Sequence, residues 1–206
     1  MSGSSALVKL NEITYQPEIE IYGEAEPADY IYQVKKGAVR SYKLLSDGRR
    51  QIAAFHMVGD IFGLEIGGSH RLTADALLET TLRLLKRQSL EDLANGDAAV
   101  ARTLLSMTTD NLQHAENHLL LLGRKNSTEK VAAFLIEMDR RLTARGVMTL
   151  PMSRRDIADY LGLTLETVSR ALSKMHCIGV LDFRSQSQRE IAILDRPRLA
   201  TFASQG

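Results

Sequence analysis

At 206 residues, with 44% hydrophobic and 25% charged side chains, the chain has the composition of an ordinary globular protein and the length of two modest domains. One cysteine, Cys177, rules out an intrachain disulfide and any multi-cysteine zinc or iron–sulfur site within the chain. No apolar run reaches membrane-spanning length and the first residues lack the apolar core of a secretory signal, so a reducing, cytoplasmic setting with no membrane partner is expected. The net charge of +1 hides two unlike halves: 12 Lys+Arg against 16 Asp+Glu as far as Gly123, then 14 against 9, for net charges of −4 and +5. A basic C-terminal half suits a polyanionic partner.

In chain order, Met1 to Ser5 read as a tail outside the fold. From Ile19 to about Lys86, short apolar or alternating runs (EIEIY, DYIYQV, AVRSYKLL, RQIAAFHM, DIFGLEI) are separated by Gly23, Gly37, Gly48 and Gly59. That punctuation predicts an antiparallel sandwich or jelly roll, with Asp47-Gly48 as a hairpin turn and a further strand pair between His70 and Lys86. SLEDLAN then predicts a short helix capped by Ser89.

A long helix is predicted from about Asp97 to Gly123. Ala101, Leu105, Thr108, Leu112, Ala115, Leu119 and Leu122 recur at the 3.5-residue period of a coiled-coil seam. Val100, Leu104, Met107, Leu120 and Leu121 form a second stripe beside it, so one face can cover the β domain while the other meets a partner copy. GRKNS, from Gly123 to Ser127, reads as a hinge, after which Ser127 caps a helix with the apolar stripe Val131, Phe134, Leu135 and Met138. VMTLPMS predicts a short strand ended by Pro151.

The segment SRRDIADYLGLTLETVSRALSKMHC, Ser153 to Cys177, carries the most information. Ser153 caps a helix over about Arg154 to Leu161, Gly162 breaks it, and Thr164 caps a second helix that runs to about His176. Ile157, Leu161, Leu163, Val168, Leu172 and Met175 supply the buried side of a helix-turn-helix. Leu165, Glu166, Ser169 and Arg170 lie on the opposite face at the start of the second helix, where base-reading side chains belong. Arg170 can donate twice to guanine, Glu166 can accept from cytosine, and Leu165 can touch a thymine methyl, while Glu166 and Arg170 are spaced to pair with each other. Downstream, IGVLDFRSQSQREIAIL predicts a hairpin turning at SQSQ, a wing whose tip Arg184 and Arg189 flank.

The fold class expected is therefore α+β: a β-roll (residues 1–96), a dimerisation helix (97–123) and a winged helix-turn-helix (124–206). With RRDIADYLGLTLETVSRALSKM as its sharpest stretch, the chain resembles the CRP/FNR superfamily of bacterial transcription regulators, and ETVSR matches its FNR and FixK branches. The resemblance implies a homodimer that binds a two-fold operator of the TTGAT-N4-ATCAA kind and recruits RNA polymerase, probing bases with Leu165, Glu166, Ser169 and Arg170. It also implies phosphate contacts from Ser153, Thr164, Thr167 and Arg184. An iron–sulfur cluster of the FNR type is excluded by the single cysteine. The cyclic-nucleotide branch carries a glycine and an acid followed by an Arg-Ser pair. Here Gly59-Asp60 and Gly63 to Glu65 match the first part, but His70-Arg71-Leu72-Thr73 replaces the pair. Without an arginine beside a hydroxyl donor a cyclic phosphate loses its charge-assisted bonds, and no cofactor is expected, as in the FixK branch. The alternative is a regulator whose β-roll binds a small anion.

Other sites compete poorly with ordinary structural roles. His114 and His118 have two-ligand metal spacing without a third ligand and read as exposed helix residues; His56 and His70 show no partner pattern. Cys177 reads as a small buried hydrophobe, and GDIFG as a turn. No nucleophile elbow, paired-cysteine motif or His-Glu-x-x-His is present, so no enzyme is expected.

Overall fold

The computed structural model describes residues 11–65, 68–123 and 126–204. It divides into two compact units, residues 1–43 with 54–113, and residues 44–53 with 114–206. The proposed N-terminal tail, and Arg124 and Lys125 of the proposed hinge, lie outside the described residues. Among those described, no helix is long and apolar enough to cross a membrane.

Among the described residues, the strands of the N-terminal roll are β1 (Asn11–Tyr15), β2 (Glu20–Tyr22), β3 (Tyr30–Lys36), β4 (Val39–Leu44), β5 (Arg50–His56), β6 (Ile61–Phe62), β7 (Thr73–Ala76) and β8 (Thr80–Lys86). They form two antiparallel sheets in the orders β1-β8-β3-β6 and β2-β7-β4-β5. The expected hairpin at Asp47-Gly48 is present: Gly48 takes φ +82°, and Leu45 donates to the Arg49 carbonyl at 2.8 Å. The expected strand pair between His70 and Lys86 is corrected. β7 and β8 are both strands, but β7 pairs with β2 and β4 while β8 pairs with β1 and β3. The chain changes sheet between them, which alternation of residue types cannot reveal because both strands bury a face. β1 was not anticipated; its residues are mostly exposed, so it carries little apolar pattern.

Tyr22, Tyr32, Val34, Val39, Phe62, Ala74, Leu82 and Leu84 form the core of this roll. Opposite each other on β4 and β7, Arg40 and Asp75 make a buried ion pair with Nε–Oδ1 at 2.7 Å, and Glu18 adds a second carboxylate to Arg40 at 2.6 Å. Burial of such a charge is tolerable only because its partners replace its water.

The helix α1 (Arg87–Gly96) starts directly from β8, with Lys86 at the cap position and no side-chain cap. Ser89 is therefore not the cap. The Arg87 N–H finds its partner in the Asp29 carbonyl at 2.9 Å, so the strand-to-helix join needs no hydroxyl. The long helix α2 spans Ala98–Leu122. Its Val100, Leu104 and Met107 line a cavity of about 440 Å³ with Ile31, Leu85 and Arg83 of the roll. On its other stripe Leu105, Leu112 and Leu119 are 67%, 60% and 70% exposed, a row of leucines left uncovered among the described residues.

After α3 (Ser127–Leu142) come β9 (Thr143–Ala144), β10 (Val147–Thr149), α4 (Arg154–Leu161), α5 (Leu165–Cys177), β11 (Leu181–Phe183), β12 (Glu190–Ile193) and α6 (Arg196–Ala203). The cap of α3 is Asn126, whose side chain accepts from the Glu129 N–H at 2.8 Å; Ser127 is the first helical residue instead. Asparagine serves as well as serine there, so residue type alone could not choose between neighbours. The sheet order β11-β12-β10-β9 supports the helix pair, and Phe134, Leu135, Met138, Ile157, Leu161, Val168, Leu172 and Met175 fill the core beneath it. Leu163, expected with them, is only half-buried, because it sits in the turn.

Candidate nucleic-acid interface

Local chemistry builds the helix pair α4–α5. Ser153 and Asp156 form a reciprocal capping box: the Asp156 N–H donates to Ser153 Oγ at 3.1 Å and the Ser153 N–H to Asp156 Oδ2 at 2.8 Å. At the far end Gly162 takes the left-handed conformation (φ +63°), and Leu163 returns a hydrogen bond to the Ala158 carbonyl at 2.9 Å. Thr164 then caps α5 by accepting from the Thr167 N–H at 3.2 Å. Such caps contribute about 1 kcal/mol each and, more to the point, fix where each helix begins.

The carbonyls that close α4 have no partners within the helix. Asp159 accepts from Gln51 at 2.8 Å, Tyr160 from His118 Nε2 at 2.8 Å, and Leu161 from Lys130 at 3.4 Å. Arg50 reinforces the first of these with bonds to Asp156 at 2.6 Å and Asp159 at 2.9 Å. The first helix of the pair is thus held at its start by its own cap braced by Arg50, and at its end by side chains from three other segments.

His118 is not the exposed residue expected of it. Its ring lies parallel to Tyr160, 4.0 Å between centroids and 1° apart in plane. Burial pushes its pKa below the usual histidine range, against the opposing pull of the Tyr160 and Ala53 carbonyls and of Glu137. His56 and His70 likewise have partners: His56 Nε2 lies 2.8 Å from Ser41 Oγ, while His70, buried, stacks on Tyr22 at 3.5 Å and sits 3.3 Å from Glu65. Cys177 is exposed rather than buried, because it closes α5 on the side away from the core.

On the outward face of α5, Glu166 and Arg170 are exposed and Leu165 and Ser169 half-exposed. Glu166 and Arg170 do not pair. The Glu166 carboxylate is stabilised by its own backbone N–H and by Thr164, with Arg155 and then Arg170 as nearby charges, and its pKa is lowered accordingly. A carboxylate in the first turn is favoured there by the helix N-terminus as well as by these charges. Among the described residues the exposed Arg170 makes no ion pair within 4.0 Å, although its charge acts on Glu166.

The proposed phosphate contacts are placed unevenly. Ser153 Oγ is committed to Asp156 at 2.6 Å, and Thr164 and Thr167 share a hydroxyl contact of 2.9 Å at the exposed start of α5. The wing is the hairpin β11–β12, closed by Arg184 N–H to the Glu190 carbonyl at 2.8 Å and turning at Ser185 to Gln188. Arg184 is half-exposed and rests on Asp182 at 3.2 Å; Arg189 reaches the Pro151 carbonyl at 3.5 Å. β9 and α6 were missed in the sequence. α6 did carry a signal, Asp195 as cap with Pro197 in its first turn.

A capped helix pair with a β-hairpin wing, exposing glutamate and arginine at the start of its second helix, is the architecture of a winged helix-turn-helix regulator. Residues 129–202 match the family model of the Crp-like helix-turn-helix domain, and residues 12–97 match that of the cyclic nucleotide-binding domain. The chain is 45% identical over 162 residues to the nitrogen fixation regulation protein FixK of Rhizobium meliloti (strain 1021), covering 79% of this chain and 74% of the relative. It is 43% identical over 185 residues to FixK of Azorhizobium caulinodans, covering 87% and 74%. The solved structure of FixK2 from Bradyrhizobium japonicum superimposes with a TM-score of 0.91 at 60% identity, over 96% of this chain and 98% of that one. The chain belongs to the CRP/FNR family of transcription regulators, in its FixK branch; it is a DNA-binding regulator and not an enzyme.

Proposed function

We propose that the protein is a homodimeric, sequence-specific transcription activator that works in the cytoplasm without a small-molecule effector. It recognises a palindrome of the TTGAT-N4-ATCAA kind and recruits RNA polymerase to genes of nitrogen fixation, the process named in its FixK relatives. The observation that carries the reading is the outward face of α5, where Arg170 stands exposed one turn from Glu166. An exposed guanidinium there can make the bidentate contact to guanine O6 and N7. Leu165, Glu166 and Ser169 complete the base-reading set, with Ser153, Thr164, Thr167 and Arg184 on phosphates. Residues 1–96 act as the roll, 97–123 as the dimerisation helix and 124–206 as the DNA-binding part.

Dimerisation is supported by the exposed leucines of α2. Left in water, Leu105, Leu112 and Leu119 forgo roughly 1.5–3 kcal/mol each of burial, and a second copy of the same seam supplies the cover. Ala101, Thr108, Ala115 and Leu122 complete it. Two such copies set recognition helices about 34 Å apart, one duplex turn. Effector independence is supported by the roll interior, where Tyr22, Tyr32, Phe62, His56 and His70 stack on one another. Selection of bound sites from random DNA by the protein alone tests the reading. A palindrome enriched without added ligand is expected; an absence of enriched sequence contradicts it.

A second reading is favoured by one observation. The cavity of about 440 Å³ beside α2, with Arg83 and Gln33 among apolar walls, could receive a small anion that gates DNA affinity. Calorimetry with cyclic nucleotides separates the two: saturable binding that changes DNA affinity selects the second.

A further inference from the structure

Arg154, the first residue of α4, reaches out of its own helix in three directions. Its Nη1 donates to Ser169 Oγ on α5 at 3.2 Å, its Nη2 donates to Gln188 Oε1 in the turn of the wing, and its guanidinium lies over the Phe183 ring of β11, 5.6 Å from the centroid. One half-buried side chain therefore joins the first helix, the recognition helix and the wing. Gln188 is held in place for this contact by its own backbone, with φ +55° and an N–H bonded to Ser185 at 3.0 Å.

The contact to Ser169 has a consequence for recognition. A serine hydroxyl carries one proton and two lone pairs, and rotates freely when nothing engages it. An arginine can only donate, so it occupies a lone pair of Ser169 and leaves the hydroxyl proton to point elsewhere. We infer that Arg154 is a positioning residue for base recognition: it sets Ser169 as a hydrogen-bond donor toward the groove and ties the wing to the same frame. Ser169 then favours a base edge presenting an acceptor (guanine O6 or N7, adenine N7, thymine O4) over the cytosine amino group. This inference rests on the base-reading role proposed for Ser169.

The test is a binding panel in which each operator base pair is replaced in turn, for wild type, Ser169→Ala, Arg154→Lys and their double mutant, at several salt concentrations. Arg154→Lys keeps the charge and loses the planar fork, so a role confined to phosphate attraction survives it. Positioning predicts that Arg154→Lys lowers discrimination about five- to tenfold at the one position that Ser169→Ala also affects. It further predicts no additional loss in the double mutant, and a salt slope equal to that of wild type. Gln188→Asn, which keeps the left-handed turn but shortens the reach to Arg154, gives a second variant on the exposed wing and is expected to weaken the same position by about twofold. A uniform loss of affinity in Arg154→Lys, with Ser169→Ala still selective at one base, overturns positioning and leaves base reading intact. No change of discrimination at any position in Ser169→Ala overturns both.

Discussion

The β-roll and the helix-turn-helix use similar polar residues in opposite ways. In the roll, histidine and tyrosine are consumed by packing: His70 stacks on Tyr22, His56 bonds Ser41, and Phe62 fills the space between His56, Tyr22 and Tyr32. In the helix pair, polar side chains that cap and brace are kept at the ends of α4, and the face of α5 is left with Glu166 and Arg170 in solvent. In the function proposed, a roll that matches a cyclic nucleotide-binding domain keeps its interior for stability and leaves contact to the second helix. The contrast can be broken from either side.

The largest effect is expected in the roll. Phe62→Ala removes a ring that three aromatic neighbours touch and should cost about 3–5 kcal/mol in denaturant titration. A loss below about 1 kcal/mol means the interior has the slack of a ligand site. Next, Arg170→Ala should cost about 1–3 kcal/mol of discrimination at one guanine per half-site while leaving the unfolding midpoint unchanged. Equal ratios of specific to scrambled binding for variant and wild type contradict its role. Arg184→Ala, on the wing, should weaken all sequences alike and reduce the salt slope by about one unit.

The smallest effect concerns pH. His118 has a folded pKa below its unfolded value, so the unfolded chain takes up the proton first as pH falls. No contribution is expected at pH values well above the unfolded histidine pKa, and stability should decline as pH drops through that value toward the folded one. His118→Gln should flatten the thermal midpoint between about pH 7.5 and 5.5 relative to wild type. An equal slope in both proteins places the titration elsewhere.

How much of this was legible beforehand follows the range of the interactions. The caps Ser153 and Thr164, the break at Gly162 and the hairpin at Asp47-Gly48 are contacts within four residues, and residue type suffices to place them. The stripes of α2 were readable from periodicity except at Leu120, which the period puts with the covered stripe but which is 70% exposed. What escaped was decided across the chain. β7 and β8 belong to different sheets, His118 is half-buried against Tyr160 forty-two residues away, and Arg50 braces Asp156 over a separation of 106. The short strand β1 and the uncapped start of α1 failed for another reason: their partners are distant backbone, so no local residue announces them; β9 instead pairs with β10 across the local turn Arg145-Gly146 and is too short to show a pattern of its own. Within the candidate interface, residue spacing located the outward face but not the ties that orient it, of which Arg154 to Ser169 is the clearest.

The most direct test of the account is a titration of the purified protein, with no added small molecule, against a TTGAT-N4-ATCAA duplex and the same duplex with one half-site scrambled. A dimer reading both halves predicts a loss of at least about tenfold when one half is scrambled, since several base pairs each cost about 1–3 kcal/mol. Equal affinity for the two duplexes, or no specific binding until a ligand is supplied, contradicts it.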